Sequence, residues 1–299
     1  MITVRVPATT ANLGPGFDCM GIALKLYNQV RIEEIEQGLE INIIDESKRF
    51  LPRDESNYVY TAMERVFRKT GRRLKGLRLE IDSSIPVTRG LGSSSAGIIS
   101  GVVGANALLG NPLKTDELLA IACEIEGHPD NVAPALLGGF VVSFQEGRRV
   151  YHSKNRINKH LKFGAMIPNF YLQTKKSRSV LPRYTSYKNA VFNVGHASML
   201  ASGLINGDVG AIAAGMKDRL HQAYRLPYIK GGEMVMKNAH RLGAIGSYVS
   251  GAGPTIMSVL GSESARFEQG MTDLIAHRLH NWNLQMLEVD NDGVTVTVE

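Results

Sequence analysis

The chain is sparing in the residues that mark several large protein classes, with two cysteines and a single tryptophan among 299 residues. Cys19 and Cys123 stand far apart without metal-type spacing, which excludes a disulfide framework and a Cys-His metal site and suits a reducing compartment. Both read as small core residues. No apolar run approaches the roughly 18 residues of a spanning helix, and the chain opens on a strand-like alternation instead of a signal peptide. A cytoplasmic protein with no membrane partner is expected. Walker, protein-kinase and HExxH motifs are missing as well. The lone GxG of Gly90 and Gly92 lacks the later acidic residue of a dinucleotide-binding βαβ unit, which argues against that fold.

Charge of one sign is also scarce. The formal excess is +6, with no block of five or six consecutive basic residues. The densest clusters are Arg68, Lys69, Arg72 and Arg73, and Lys175, Lys176 and Arg178. Neither is interleaved with stacking aromatics, so no nucleic-acid partner is expected and small anionic ligands fit the surplus better.

A hydrophobic share of 43% supplies a full core, for one large or two medium domains. Strand-like alternation or β-branching covers residues 2–6, 29–34, 39–44 and 77–81. Between the last two lies an amphipathic helix, with Ser56 as cap, Val59, Ala62, Met63, Val66 and Phe67 on one face and Gly71 at its end. Residues 98–109 are apolar or small on nearly every side, which marks a buried helix, and Gly97, Gly101 and Gly104 suggest close packing. A further helix takes Thr115 as cap and delivers Glu126 just before Gly127. A strand over 138–144 then meets the basic, hydrophilic stretch 147–162, the best candidate boundary, dividing 1–155 from 156–299. Beyond it, strands are expected near 163–167, 245–249, 255–260, 285–289 and 294–298, with helices near 188–204, 209–218, 232–242 and 264–280. Interleaving without a strict βαβ repeat argues an α+β fold.

Four segments carry chemistry. PVTRGLGSSSAG, residues 86–97, ends a strand and opens the buried helix. The first amides of a helix lack intrahelical partners and sit at the positive end of its dipole, so a glycine-serine turn there suits a phosphate. A plain capped turn is the alternative. PATTANLGPGFDCMG, residues 7–21, is a polar loop in which Asn12 and Asp18 can hold a hydroxyl or an ammonium group, or merely form Asx-turns. EGHPDN, residues 126–131, places four polar side chains at a helix end. Glu126 there is a candidate magnesium ligand, and His128 alone would read as a structural histidine. GSYVSGAGPTIMSV, residues 246–259, can bring the backbone of Gly251 and Gly253 close to a substrate, or simply join two strands. Arg178 and Arg225 are isolated arginines, each either a carboxylate clamp or a surface charge.

Taken together these ordered motifs resemble the GHMP kinase superfamily, its phosphate loop in PVTRGLGSSSAG, its N-terminal motif in PATTANLGPGFDCMG and its C-terminal glycine motif in GSYVSGAGPTIMSV. ATTANLGPGFD and GHPDNVAPALLGG are similar to the homoserine kinase branch, and the similarity spans the chain. Glu126 and Gly127 run directly into His128, where many members of that branch carry extra residues; the shorter form looks like that of Gram-positive-type members.

The resemblance implies a two-domain α+β fold, with an N-terminal ATP-binding domain containing a left-handed βαβ crossover, a C-terminal ferredoxin-like domain, and the site in the cleft between them. It implies transfer of the γ-phosphoryl group of ATP to the hydroxyl of L-homoserine, on the threonine pathway, by a homodimer. Pro86, Val87, Thr88, Arg89, Gly90, Leu91, Gly92, Ser93, Ser94, Ser95 and Ala96 would wrap the triphosphate, with Asn57 near the nucleoside. Ser94 and Glu126 would hold Mg2+. Asn12, Asp18, His128, Asn131, Arg178 and Arg225 would surround homoserine, the arginines taking its carboxylate, with Gly251 and Gly253 alongside. Asp18 is the candidate for orienting the acceptor and Thr174 for facing the reacting hydroxyl. Rival readings are a related kinase for mevalonate or a sugar, a serine hydrolase using Ser93 to Ser95, and a nucleotide-binding regulator without catalysis. No GxSxG elbow supports the hydrolase, and retention of Glu126 with all three loops argues against the regulator.

Overall fold

A computed structural model describes residues 1–72, 75–158 and 160–298; Arg73 of the first basic cluster lies outside the described residues. Along the first half run β1 (Ile2–Ala11), β2 (Met20–Ile35), β3 (Gly38–Ile43), α1 (Tyr58–Thr70), β4 (Gly76–Ser83), α2 (Ser93–Leu108), α3 (Thr115–Glu126), α4 (Pro129–Leu137), β5 (Phe140–Glu146) and β6 (Arg149–Asn155). The second half adds β7 (Lys162–Pro168), α5 (Thr174–Ser179), α6 (Tyr187–Asn206), α7 (Val209–Gly215), α8 (Gln222–Arg225), α9 (Gly232–Arg241), β8 (Gly246–Val249), β9 (Ile256–Leu260), α10 (Ala265–Arg278), β10 (Trp282–Leu287) and β11 (Thr295–Val298).

Seven strands form the first sheet in the order β11-β1-β2-β4-β3, with β5 on β2 and β6 on β5. The 16-residue β2 is long enough to serve different partners, pairing with β5 near its start and with β4 over its second half. β3 and β4 lie parallel, so α1 between them is a crossover helix. The second sheet is antiparallel, in the order β10-β7-β9-β8. Counted within itself that order is 4-1-3-2, with helices between its first and second and its third and fourth strands, the ferredoxin-like pattern. The α+β expectation holds.

Local chemistry accounts for most elements. Val59, Ala62, Met63, Val66 and Phe67 are buried in α1 as their spacing predicts, and Gly71 closes the helix in the left-handed region. The cap is Asn57 in place of Ser56: Asn57 Oδ1 accepts from the Val59 amide at 2.9 Å, while Ser56 turns to Asp54. In α3, likewise, Thr115 is the first helical residue and Lys114 precedes it; Glu117 accepts the Lys114 amide at 3.0 Å. α2 is buried almost all round, and a Cβ on Gly101 would stand 2.2 Å from the Val59 carbonyl oxygen, so α1 and α2 meet backbone to backbone.

Two expectations change. β1 does not end at Val6 but runs through Pro7 to Ala11, because a register shift between Pro7 and Ala8 absorbs the proline. The polar loop therefore shortens to residues 12–19. The hydrophilic stretch 147–162 contains β6, an edge strand whose exposed side chains explain the lapse in apolar periodicity. The chain changes sheets after Asn155, and β11 returns to pair with β1.

Candidate active site

The three glycine-rich segments are stitched together by main-chain contacts. Beyond β1 the chain turns through Asn12 and Asp18, both with positive φ. The Gly251 amide donates to the Ala11 carbonyl at 3.1 Å, and Asn12 Nδ2 donates to the Gly251 carbonyl at 2.9 Å. On the other side Ser250 Oγ donates to the Gly90 carbonyl at 2.6 Å, and the Thr255 amide donates to the Arg89 carbonyl at 3.2 Å. Gly92 has φ 73°, and a Cβ there would meet Thr9 Oγ1 at 1.9 Å, so only glycine fits at the mouth of α2. These loops enclose a cavity of about 600 Å³.

One end of the cavity is built for phosphate. α2 starts at Ser93 without a side-chain cap, which leaves its first amides for an anion. Val87, Thr88, Arg89, Gly90, Gly92, Ser93, Ser94 and Ser95 line this end, as does Glu126 from the close of α3. Ser94 Oγ lies 3.2 Å from Glu126 Oε2, and Ser95 Oγ lies 2.8 Å from Oε1. A hydroxyl and a carboxylate side by side are the hard oxygen donors that magnesium takes. Arg89 is held by the carbonyls of Pro168 at 2.9 Å and Asn169 at 2.7 Å, which ties the phosphate loop to the exit of β7.

The other end is charged on both signs. Arg178, on α5, donates to both carboxylate oxygens of Asp18, at 2.7 and 3.1 Å. His128 Nδ1 lies 2.5 Å from Asp130 Oδ1, and that same oxygen accepts from Asn131 Nδ2 at 3.1 Å. Thr9 Oγ1 donates to Asn131 Oδ1 at 2.7 Å, which fixes the amide. Burial pulls the His128 imidazole toward neutrality, but the adjoining Asp130 outweighs it and the pKa rises above the ordinary value. Asp18, His128 and Asp130 gather ligand atoms within 4.8 Å of one another, yet Arg178 already occupies both Asp18 oxygens. Arg225 is 2% exposed. Burial, and then repulsion from Arg178, lower its pKa to about 10. Its guanidinium donates to the Gly251 carbonyl at 2.8 Å, and among the described residues no carboxylate pairs with it. A buried cation without a counter-ion, opening on a cavity, suits an anionic ligand.

Most residues expected from sequence line this one cavity, Asn12, Asp18, His128, Asn131, Thr174, Arg178, Arg225, Gly251 and Gly253 among them. Asn57 does not: its amide caps α1 and donates to the Pro52 carbonyl, and Leu51 and Tyr58 line the wall instead. Pro86, Leu91 and Ala96 also lie behind the lining, Leu91 and Ala96 fully buried. Sequence reasoning gave no role to Asp130, though it stands within EGHPDN, nor to Phe17, whose ring lies beneath both guanidinium groups at 5.7 and 5.2 Å. Arg178 and Arg225 read equally as surface charges in sequence because nothing local to either marks its partner.

A helix mouth without a side-chain cap, a serine-glutamate pair beside it and a charged pocket beyond suit phosphoryl transfer to a small molecule. The family model for the GHMP kinases N terminal domain matches residues 57–139. A homoserine kinase of Clostridium botulinum (strain ATCC 19397 / Type A) is 44% identical over 296 residues, 99% of this chain and 98% of its own length. One from Clostridium beijerinckii is 46% identical over 297 residues, with the same coverage. The crystal structure of homoserine kinase from Cytophaga hutchinsonii superposes with a TM-score of 0.89 at 31% identity, over 99% of this chain and 97% of that one. The chain belongs to the homoserine kinase family, ATP-dependent small-molecule kinases.

Proposed function

We infer that the cavity transfers the γ-phosphoryl group of ATP to the side-chain hydroxyl of L-homoserine, giving O-phospho-L-homoserine and ADP in threonine biosynthesis. The observation that carries this reading is the pairing of an uncapped helix mouth with an acceptor pocket bearing Asp18 opposite Arg178, and Arg225, with which no carboxylate among the described residues pairs. An amino acid presents an ammonium and a carboxylate together, and this pocket answers both; mevalonate and sugars lack the ammonium. The α2 amides and residues 86–96 cradle the triphosphate, and Leu51, Tyr58 and Leu172 offer an apolar wall for the nucleoside.

The Ser94 hydroxyl and Glu126 carboxylate fit Mg2+, which when bound supplies positive charge against the phosphate oxygens. The remaining work is positioning. Phosphoryl transfer gains most from in-line alignment and from fixed dipoles that meet developing charge. Asn12 and Asn131 fix the pocket walls, and Thr174 at the start of α5 stands where it can face the reacting hydroxyl. Both Asp18 oxygens are committed to a cation, so Asp18 orients the acceptor through charge; no strong base is required.

The domains proposed are residues 1–155, ATP-binding, and 156–299, ferredoxin-like and the source of Arg178 and Arg225, with β11 returning to the first sheet. We place it in the cytoplasm as a homodimer. Two free thiols accord with a reducing compartment, no helix among the described residues is long and apolar enough to cross a membrane, and the outer face of α6 leaves Tyr187, Val191 and Val194 exposed. The test of the reaction is 31P NMR of the product from ATP and L-homoserine: a phosphomonoester on homoserine supports the reading, and its absence overturns it.

A further inference from the structure

The imidazole of His221 is fully buried outside the cavity lining, and its ring nitrogens touch the two halves of the acceptor pocket. Nδ1 lies 3.1 Å from an Arg225 guanidinium nitrogen, and Nε2 lies 2.8 Å from the Gly14 carbonyl oxygen. Arginine can only donate, so Nδ1 accepts; a carbonyl can only accept, so Nε2 carries the proton. The contacts fix the neutral tautomer with no spare valence. Phe17 stacks on the ring at 5.2 Å and lies beneath the guanidinium groups of Arg178 and Arg225. Gly14 and Phe17 belong to the turn that presents Asn12 and Asp18. His221 therefore joins the arginine that faces the carboxylate to the turn that faces the ammonium.

We propose that His221 is a positioning residue that sets the spacing between the carboxylate-binding and ammonium-binding arms of the acceptor site, and so governs affinity for the amino-acid acceptor. This rests on the reading above, in which Arg225 and Asp18 hold the two ends of homoserine.

The surroundings favour the neutral ring. His221 is held in place from behind by Asp218, whose carboxylate accepts the amides of Leu220, His221 and Gln222 and the Asn193 side chain, and which stays 3.8 Å from Nε2. The charged groups facing the imidazole are Asp218, Arg225 and, from the N-terminal turn, Asp18. Burial dominates and lowers the pKa from 6.5 against the pull of Asp218. Protonation would set an N–H against the Arg225 donor. The Arg225 contact therefore persists at the ordinary histidine pKa and is lost only as pH falls through the depressed folded value.

Glutamine at 221 can repeat the pattern, its oxygen accepting and its nitrogen donating, and it does not titrate. The experiment is steady-state kinetics on the full chain for wild type, His221→Leu and His221→Gln, with homoserine and ATP varied separately from about pH 8 to about pH 5.5. Loss of a buried hydrogen bond to a charged group predicts a rise in KM for homoserine of about tenfold in His221→Leu. kcat and KM for ATP should stay near wild type, and His221→Gln should restore KM for homoserine across the pH range. A wild-type KM in His221→Leu overturns the proposal, as does a parallel loss of ATP affinity and kcat that glutamine fails to rescue. A wild type inert with homoserine overturns the functional reading and this inference with it; an active wild type with insensitive variants overturns this inference alone.

Discussion

Arg178 donates to both carboxylate oxygens of Asp18, joining α5 to the N-terminal turn across 160 residues of sequence. Each side chain is about a third exposed, so the pair contributes little to stability in water. Its meaning lies in the acceptor pocket, where cation and anion satisfy each other until a zwitterion inserts between them. Asp18→Asn removes the ammonium partner and frees Arg178. KM for homoserine is expected to rise about tenfold or more, with kcat at saturation falling much less. Initial-rate kinetics decide: an unchanged KM with a collapsed kcat would assign Asp18 to proton removal.

Glu126 faces Ser94 and Ser95 at the mouth of α2. Glu126→Gln keeps the shape and removes the charge that suits a divalent ion. The Mg2+ concentration for half-maximal rate should rise by roughly tenfold to a hundredfold, and excess Mg2+ should recover part of the rate. An unchanged magnesium titration would move the ion elsewhere.

His128 titrates above 6.5 because Asp130 outweighs burial. A raised pKa means the folded state holds the proton more tightly than the unfolded one. The stabilising contribution is thus full below the ordinary value and is lost as pH rises through the folded value. In Asp130→Asn the imidazole loses its partner and burial prevails. Its NMR titration midpoint should fall below 6.5, and the stability difference between variant and wild type should shrink on the alkaline side.

α1 and α2 touch through Gly101, where a Cβ would meet the Val59 carbonyl and the Ala62 side chain. Gly101→Ala is expected to destabilise by about 1–3 kcal/mol through overpacking, read as a lower urea midpoint. Gly97→Ala, whose Cβ would find ordinary contact distances, should be neutral or better for helix stability.

Much of this architecture was legible in sequence where the signal is local. The spacing of Val59 to Phe67, the glycine-serine turn before α2 and the order of the glycine motifs each depend on near neighbours. The rest depends on contacts that sequence distance hides. α4 escaped notice because Pro129 and Pro134 interrupt its nine residues, although a proline fits the first turn. β6 lay unseen within the stretch read as a domain boundary, because an edge strand need not alternate. Asn57, expected near the nucleoside from the resemblance, caps α1 and lies outside the cavity lining, a role that Ser56 competed for in sequence. The partnerships of Arg178 with Asp18, and of Arg225 with His221 and Gly251, arise only when the second sheet docks beside the phosphate loop.

ADP release from MgATP, followed with L-homoserine, mevalonate, galactose and no acceptor under identical conditions, tests the central claim most directly. The account predicts strong acceleration by homoserine and background rates with the other three. Acceleration by mevalonate or galactose in its place, or equal rates in all four, would contradict it.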